Sequence, residues 1–520
     1  MTTLSTQLLV VGGGATGLGV AWDACLRGLK VVVLEQDDLG QGTSGRFHGL
    51  LHSGGRYVIS DPASARDCAL ENRILRRIAP HTVEETGGLF VAAPSDPEVF
   101  ADRWSAACAA CGVPAEEIPV AEVLRREPLL NPRLRRAFRV DDAAIDSFDL
   151  LHALAHAIRA AGGQVLLRHR LDHLHLERGR VRSAGVTDLR SGEQRTIGVE
   201  MVVNASGPFA RDVARLAGVR LPIALGRGAM VAMAARLVHT IVNRLKHPSD
   251  GDILVPVGTV SVLGTTDVRV ERPTDHTIEP WEIDLLLGEG EVLIPGLSQH
   301  RPLRAWSGLR PLYRPQAASG EATRALPRAH HILDHQAMDG PAGLVSVIGG
   351  KLTTYRLMAE QTLEVVSARL GHVAACRTAE TPLENATPAF YSLPSRWRRL
   401  EQTPGAGPPE VICECEMITR ADLEAALASP DVEGLDDLRR DLRLGMGPCQ
   451  GGFCAHRAQA LAHRLGRAAE GDDWLGAFLA ERWRGTRPLA WGHGLRQAEL
   501  TRRLYGELLG ALSGSDQAAR

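Results

Sequence analysis

The sequence predicts an α/β (α+β) chain of more than one domain, and three observations carry that prediction. Its 520 residues exceed what one hydrophobic core usually organises, which points to two or three domains with large interiors. At the N-terminus an apolar strand, a glycine turn, a helix and a second strand follow one another (LLVVGGGATGLGVAWDACLRGLKVVVLE). From about residue 371 a proline-rich stretch interrupts the pattern, and a helical, cysteine-bearing segment follows it.

Composition removes several classes of function. The 59 basic and 61 acidic residues nearly cancel and no long like-charge run occurs, so neither a nucleic-acid partner nor a polybasic membrane anchor is expected. Residues MTTLSTQLLVVGGG carry no basic n-region and run straight into glycines, so they read as a first strand and not as a signal peptide, and the protein is expected in the cytoplasm. No apolar run approaches the roughly 18 residues of a spanning helix, which leaves peripheral attachment through a partner open. Nine cysteines in a large cytosolic chain favour metal or redox use, or burial, over structural disulfides.

Gly12, Gly14 and Gly17 stand in G-x-G-x-x-G spacing between strand and helix, the context that makes this motif a Rossmann-like dinucleotide site. The first glycine permits the tight turn, the second lets backbone approach a pyrophosphate, and the third allows close packing of the helix, whose N-terminus offers N–H donors. VVVLE then ends in Glu35, a carboxylate placed to accept from an adenosine ribose and to repel a 2′-phosphate. FAD or NAD is therefore expected over NADP, and the glycines alone do not separate the two.

The stretches that separate them lie further along. LLHSGGRY at 50–57, VVNASGP at 202–208, DILVP at 252–256, GTTD at 264–267, WSGLRPL at 306–312 and GGKLTTYRLMAE at 349–360, taken in order, resemble the FAD-dependent glycerol-3-phosphate dehydrogenases, within the glycine/D-amino-acid-oxidase-like flavoproteins. The resemblance covers nearly the whole chain. It implies non-covalent FAD bound in a Rossmann-like domain that carries an inserted mixed-sheet substrate domain. It further implies that Thr43, Ser44 and Gly207 contribute to the FAD site, and that Gly349, Gly350, Lys351, Leu352 and Thr353 approach the flavin ring from the last strand, where N–H groups stabilise negative charge on the reduced flavin.

The implied substrate is glycerol 3-phosphate, and a phosphate dianion calls for fixed cations, best supplied by arginine forks. Arg56, Arg310 and Lys351 lie in glycine-flanked stretches, and Arg328, in LPRAHHILDH, is a further candidate by the same resemblance. His52 is the histidine of these stretches suited to acid–base work, Tyr57 is a candidate for a substrate hydrogen bond, and Arg310 is too basic to accept a proton. The catalytic set is thus expected to be His52, Arg310 and Lys351.

Residues 371–410, with prolines at 382, 388, 394, 404, 408 and 409, read as a linker between an oxidoreductase domain over 1–370 and a cysteine domain over 411–465, with a helical segment over 466–520. Thr419 is a candidate cap for the helix TRADLEAALASP. Cys413, Cys415, Cys449 and Cys454 form C-x-C, 33 intervening residues, then C-x4-C. That pattern resembles the ferredoxin-like domain named after the bacterioferritin-associated ferredoxin, which implies a [2Fe-2S] cluster. Many members close with C-x2-C, so the x4 spacing is a departure, and a four-thiolate zinc site remains open. The tail and its ending ERWRG…PLAWG…LR are similar to the flavoprotein components of anaerobic, three-subunit members, which implies two further subunits, (mena)quinone as acceptor, and a peripheral place on the cytoplasmic face of the inner membrane.

The other cysteines read as packing: Cys108 and Cys111 fall on an Ala-rich helix, and Cys25, Cys68 and Cys376 are single. His173 and His175 alternate with leucines, as on the wet face of a hairpin arm. Two rival readings stay open, an amine, amino-acid or hydroxyacid oxidoreductase on the same fold, and a tail that handles metal or docks subunits.

Overall fold

The computed structural model describes residues 4–314, 323, 329–383, 398, 400, 401, 409–468, 474–504 and 506. Strand β1 (Leu4–Val11) forms where the apolar run begins, and Leu8, Leu9 and Val10 are fully buried, as expected of a strand covered on both faces. Helix α1 (Ala15–Leu26) crosses to β2 (Val31–Glu35), which pairs in parallel with β1. The parallel core of this eight-stranded sheet runs Gln164–Leu167, β2, β1, Gln194–Asn204, Leu344–Ile348. All these strands point the same way, so their C-terminal ends open on one edge, where α/β sheets bind ligands. The Gly12 loop, Glu35, Ser206 and the Gly349–Lys351 turn meet there. α1 packs on the returning helix Tyr355–Leu370 so closely that a Cβ on Gly19 would stand 2.8 Å from the Tyr355 ring.

Among the described residues a nine-stranded sheet forms the second lobe, with the long antiparallel pair Ile223–Met233 and Pro302–Tyr313 at one end of it. Gly88–Ala92, from early in the chain, joins this sheet beside Ile241–Arg244, so the lobe is an insertion built from two separate stretches. His173 and His175 are exposed on the arm His169–Glu177 of an antiparallel hairpin, while Cys108 and Cys111 are buried on the helix Glu98–Cys111, as their patterns indicate.

The stretch after 370 differs from a free linker in its first part. Leu383 is buried in the main core and donates its N–H to Ile78 O at 2.8 Å, and buried Thr378 accepts from Arg356 at 3.1 Å. Pro382 and Pro409 belong to the described chain, whereas the prolines at 388, 394, 404 and 408 lie outside the described residues. Beyond them a short hairpin (Val411–Cys413 and Ile418–Thr419) leads into the helices Arg420–Leu427, Leu435–Leu442, Ala455–Arg464, Trp474–Thr486 and Gly492–Arg503. Thr419 caps the first of them in a capping box with Asp422. Leu423, Leu427, Leu435, Leu438 and Phe478 are fully buried in a separate tail core. The tail docks on the body through ion pairs, one buried, Arg440 with Asp38 at 2.6 Å, and two part-buried, Arg168 with Asp437 at 2.8 Å and Arg443 with Asp146 at 2.9 Å.

Candidate active site

Two cavities meet inside the body. The first, of about 570 Å³, runs from Gly12, Gly14 and Glu35 past Thr43, Ser44 and Gly207 to Gly350, Lys351 and Leu352. The second, of about 620 Å³, is lined by Arg56, Ser60, His247 and Thr265. Both are bounded by Thr43, Arg46, Phe47, His48, His52, Tyr57 and Arg310, so one wall looks into both spaces.

The first cavity is shaped for a dinucleotide. Gly12 has φ +113°, and a Cβ there would stand 2.6 Å from Ala205 O, so backbone alone fits. A Cβ on Gly17 would meet Gly12 O at 1.9 Å, which fixes the close approach of helix and loop. The N-cap residue is Gly14, which has no side chain to cap the helix, and no acidic residue lies in its first turn, which leaves its dipole to a ligand anion. Ser44 Oγ does accept the Ala15 N–H at 3.0 Å, and Thr43 Oγ1 donates to Leu309 O at 2.7 Å, tying this loop to both lobes. Glu35 Oε2 accepts the Gly13 N–H at 2.7 Å, and its Oε1 that of Asp37 at 2.9 Å. Burial raises Glu35 to about 6 against these two donors, so further hydroxyl donors would find a receptive carboxylate.

The segment 50–57 carries the polar wall. Gly54 has φ +103° and a Cβ on it would meet Ala65 O at 2.4 Å, while buried Trp104 donates its indole N–H to Gly55 O at 2.8 Å. The turn is thereby locked and His52, Arg56 and Tyr57 are aimed. His52 Nε2 lies 3.5 Å from Tyr57 OH, and Lys351 Nζ stands 4.4 Å from the centre of the Tyr57 ring. Arg310 pairs with Asp267 at 2.9 Å and hydrogen-bonds Thr265, and Arg56 pairs with Asp252 at 2.9 Å. Each arginine is thus held by a carboxylate while its guanidinium borders a cavity.

The structure modifies several sequence-based expectations. Thr353 does not line the cleft: it is buried behind the wall, and its hydroxyl accepts the His52 N–H at 3.1 Å. Gly17 likewise supports the loop without bordering the cavity, and Arg56 borders only the second space. Arg328 lies outside the described residues. Sequence reasoning missed His48, whose ring centre is 6.0 Å from that of His52 and which borders both cavities. Its signal was the glycine on either side, Gly45 and Gly49, in a stretch otherwise read for the flavin alone. Arg46 was missed in the same place.

In the tail the four thiols converge. Cys454 hydrogen-bonds Cys413 and Cys449, and Cys415 hydrogen-bonds Cys449. Hydrogen bonds from the other thiols hold Cys413 and Cys449 low, helped by backbone N–H groups of Gly445 and Glu416 on the first, and of Gly451 and Phe453 on the second. Among the described residues no group of three or more His, Cys, Asp or Glu stands as a formed metal shell. The donor set nevertheless suits a soft metal: four sulfurs from two short loops, with backbone donors aimed at two of them.

Residues 7–356 match the model of the FAD dependent oxidoreductase family, and the chain belongs to that family. Within it the chain is 38% identical over 528 aligned positions, covering 97% of each chain, to the A subunit of the anaerobic glycerol-3-phosphate dehydrogenase of Escherichia coli (strain K12). It is 39% identical over 533 positions to the A1 subunit of the enzyme of that name from Haloferax volcanii, covering 96% of this chain and 90% of that one. The solved glycerol-3-phosphate dehydrogenase of Bacillus halodurans, complexed with FAD, shares the fold with a TM-score of 0.60 at 21% identity, over 98% of this chain and 86% of that one. Among the described residues no helix is long and apolar enough to cross a membrane.

Proposed function

We propose that this chain is the catalytic flavoprotein component of a glycerol-3-phosphate dehydrogenase, oxidising sn-glycerol 3-phosphate to dihydroxyacetone phosphate. The observation that carries the reading is the junction of the two cavities, where His52, Tyr57 and Arg310 border a dinucleotide-shaped space on one side and a cation-lined space on the other. FAD, when bound, supplies the two-electron acceptor. Arg310 and Arg56 meet the phosphate, each preorganised by its carboxylate so that little side-chain entropy is lost on binding. Lys351, seated on the Tyr57 ring, adds positive charge where negative charge develops. His52 takes the C2 hydroxyl proton and Tyr57 OH orients that hydroxyl; Thr353, which accepts the His52 N–H, and Trp104, which pins the turn at Gly55, position the base. Gly12, Gly14, Ser44 and the α1 N-terminus receive the pyrophosphate, Glu35 the ribose, and Gly350, Lys351 and Leu352 the ring.

In the tail, Cys413, Cys415, Cys449 and Cys454 would hold an iron–sulfur centre of the [2Fe-2S] type, a one-electron carrier between the flavin and partner subunits, with (mena)quinone as final acceptor. Two further subunits would place the chain peripherally on the cytoplasmic face of the inner membrane. Iron and acid-labile sulfide analysis of anaerobically purified protein, paired with turnover on glycerol 3-phosphate, glycine, proline and lactate, tests both halves. The expected result is two irons and two sulfides per chain and turnover on the phosphate ester alone, about two iron atoms being the content of one such cluster. Zinc in the tail, or turnover on an amino acid instead, overturns the corresponding half.

A further inference from the structure

A third cavity, of about 150 Å³, lies where the tail docks on the body. Six arginines border it: Arg46 and Arg304 from the body, Arg439, Arg440, Arg443 and Arg482 from the tail. Three are matched by carboxylates, Arg439 by Asp436 at 2.7 Å, Arg440 by Asp38 at 2.6 Å and Arg443 by Asp146 at 2.9 Å. Arg46 and Arg482 are not. Arg46 donates Nε to the Gln41 carbonyl, and Arg482 donates Nη1 to Gly445 O and Gln450 Oε1, neutral acceptors at 3.4 and 3.2 Å. Arg304 reaches Glu481 at 3.5 Å, and Arg440 and Arg443 each take a second carboxylate, Asp437 and Glu416, so among the described residues the cations with no carboxylate at ion-pair distance are Arg46 and Arg482.

Several of the donors are stranded. Nε and Nη2 of Arg482 and Nη1 of Arg440 are buried without a hydrogen-bond partner among the described residues, in side chains of residues that are 6% and 3% exposed. Burial, with repulsion from neighbouring arginines, holds Arg46 and Arg482 below the ordinary arginine range and Arg304 down to about 10. Unpaired buried charge is among the costliest features a fold can carry, and an oxyanion supplying the missing acceptors would offset it. The space has room for roughly five waters, which suits a phosphate group and excludes a nucleotide.

We propose that this cavity is a binding site for a phosphate-class dianion, separate from the substrate cleft, which fastens the thiol-bearing tail to the body. Arg46, Phe47 and His48 face it from the side of the two active-site cavities, and Met446 and Gln450 face it from the thiol loop. The anion therefore sits between flavin cleft and thiols. The inference holds whatever the substrate of the cleft is.

The test uses the FAD-loaded full chain, titrated with inorganic phosphate at constant ionic strength by calorimetry, with thermal unfolding alongside. Wild type and Arg310→Ala should both bind phosphate and gain melting temperature. Arg482→Met should bind about tenfold more weakly or worse, that contact being a charged hydrogen bond, yet unfold no earlier than wild type in phosphate-free chloride buffer, because it removes a buried unpaired charge. If Arg482→Met does not fold, Arg439→Gln takes its place with the same expected loss of phosphate affinity. Adding glycerol 3-phosphate to phosphate-saturated Arg310→Ala separates the sources: displacement assigns the site to phosphomonoesters, no displacement to free phosphate. No phosphate effect on wild type, full binding by Arg482→Met, or binding abolished by Arg310→Ala would overturn the proposal.

Discussion

The flavin cleft and the thiol-bearing tail hold their groups in place by opposite means. In the cleft, backbone does most of the work: a glycine loop too tight for any Cβ, a helix N-terminus, and turns pinned by Trp104 and Thr353. The tail is a small core whose placement depends on side-chain ion pairs with residues hundreds of positions away, such as Arg440 with Asp38 and Arg168 with Asp437. Backbone constraints are local and leave a sequence signature. Ion pairs across a docking surface leave none, and they can be broken one at a time. The comparison teaches where each region is vulnerable, and substitutions on both sides can break or sharpen it.

The largest effect is expected in the cleft. Gly17→Val would drive a side chain into Gly12 O, a backbone atom that cannot yield, so flavin retention should be lost along with roughly 3 kcal/mol or more of stability, read by flavin absorbance and urea unfolding. Stable, yellow Gly17→Val protein would show that the loop is looser than described. Next comes Arg310→Ala, which should cost about 2–4 kcal/mol in kcat/KM for glycerol 3-phosphate while FAD stays bound, because a phosphate charge would lose its paired donors. Unchanged kinetics would make Arg310 a structural partner of Asp267 only.

On the docking side, Arg168→Ala removes pairs to Asp437 and Glu433 from a partly exposed position, so a smaller loss of about 1–3 kcal/mol is expected after allowing for screening. It should appear as faster amide exchange in Leu435–Leu442 with flavin binding unaltered. Exchange unchanged there would mean that other contacts hold the tail.

The smallest effect concerns pH. Burial raises Glu35 to about 6, so in the flavin-free fold the neutral form is favoured and the penalty of the buried carboxylate, absent below its ordinary 4.5, is complete above about 6. Ribose hydroxyls donating to Glu35 favour the ionised form, and binding below pH 6 must then expel a proton. FAD affinity should fall as pH drops through 6, by at most about 1.4 kcal/mol per pH unit. Glu35→Gln should flatten that dependence, and a slope that survives the substitution would assign it elsewhere.

What was legible in the sequence follows the same division. The strand, loop and helix around Gly12, the Thr419 cap, the wet histidines 173 and 175 and the packed Cys108 and Cys111 all rest on neighbours within a few residues, and all stand as read. Convergence of the four thiols was legible too, because two short loops bring them in pairs. Asp267 and Asp252, the partners that aim Arg310 and Arg56, were not, since pairing across strands has no periodicity to read. Thr353 was placed on the wrong side of the wall because an irregular turn gives no rule for which face looks inward. His48 and Arg46 escaped for the same reason, although they border all three cavities.

The central claim is that the cleft alone reduces the flavin and the thiols only carry electrons onward. Anaerobic mixing of the FAD-loaded chain with sn-glycerol 3-phosphate, followed by flavin absorbance, tests it most directly in wild type and Cys449→Ser side by side. The account predicts bleaching of the oxidised band at the same rate in both, none with glycerol, and slowed recovery in the variant alone when partner subunits and a quinone are added. Failure of glycerol 3-phosphate to bleach the wild-type flavin, or bleaching that depends on Cys449, would contradict it.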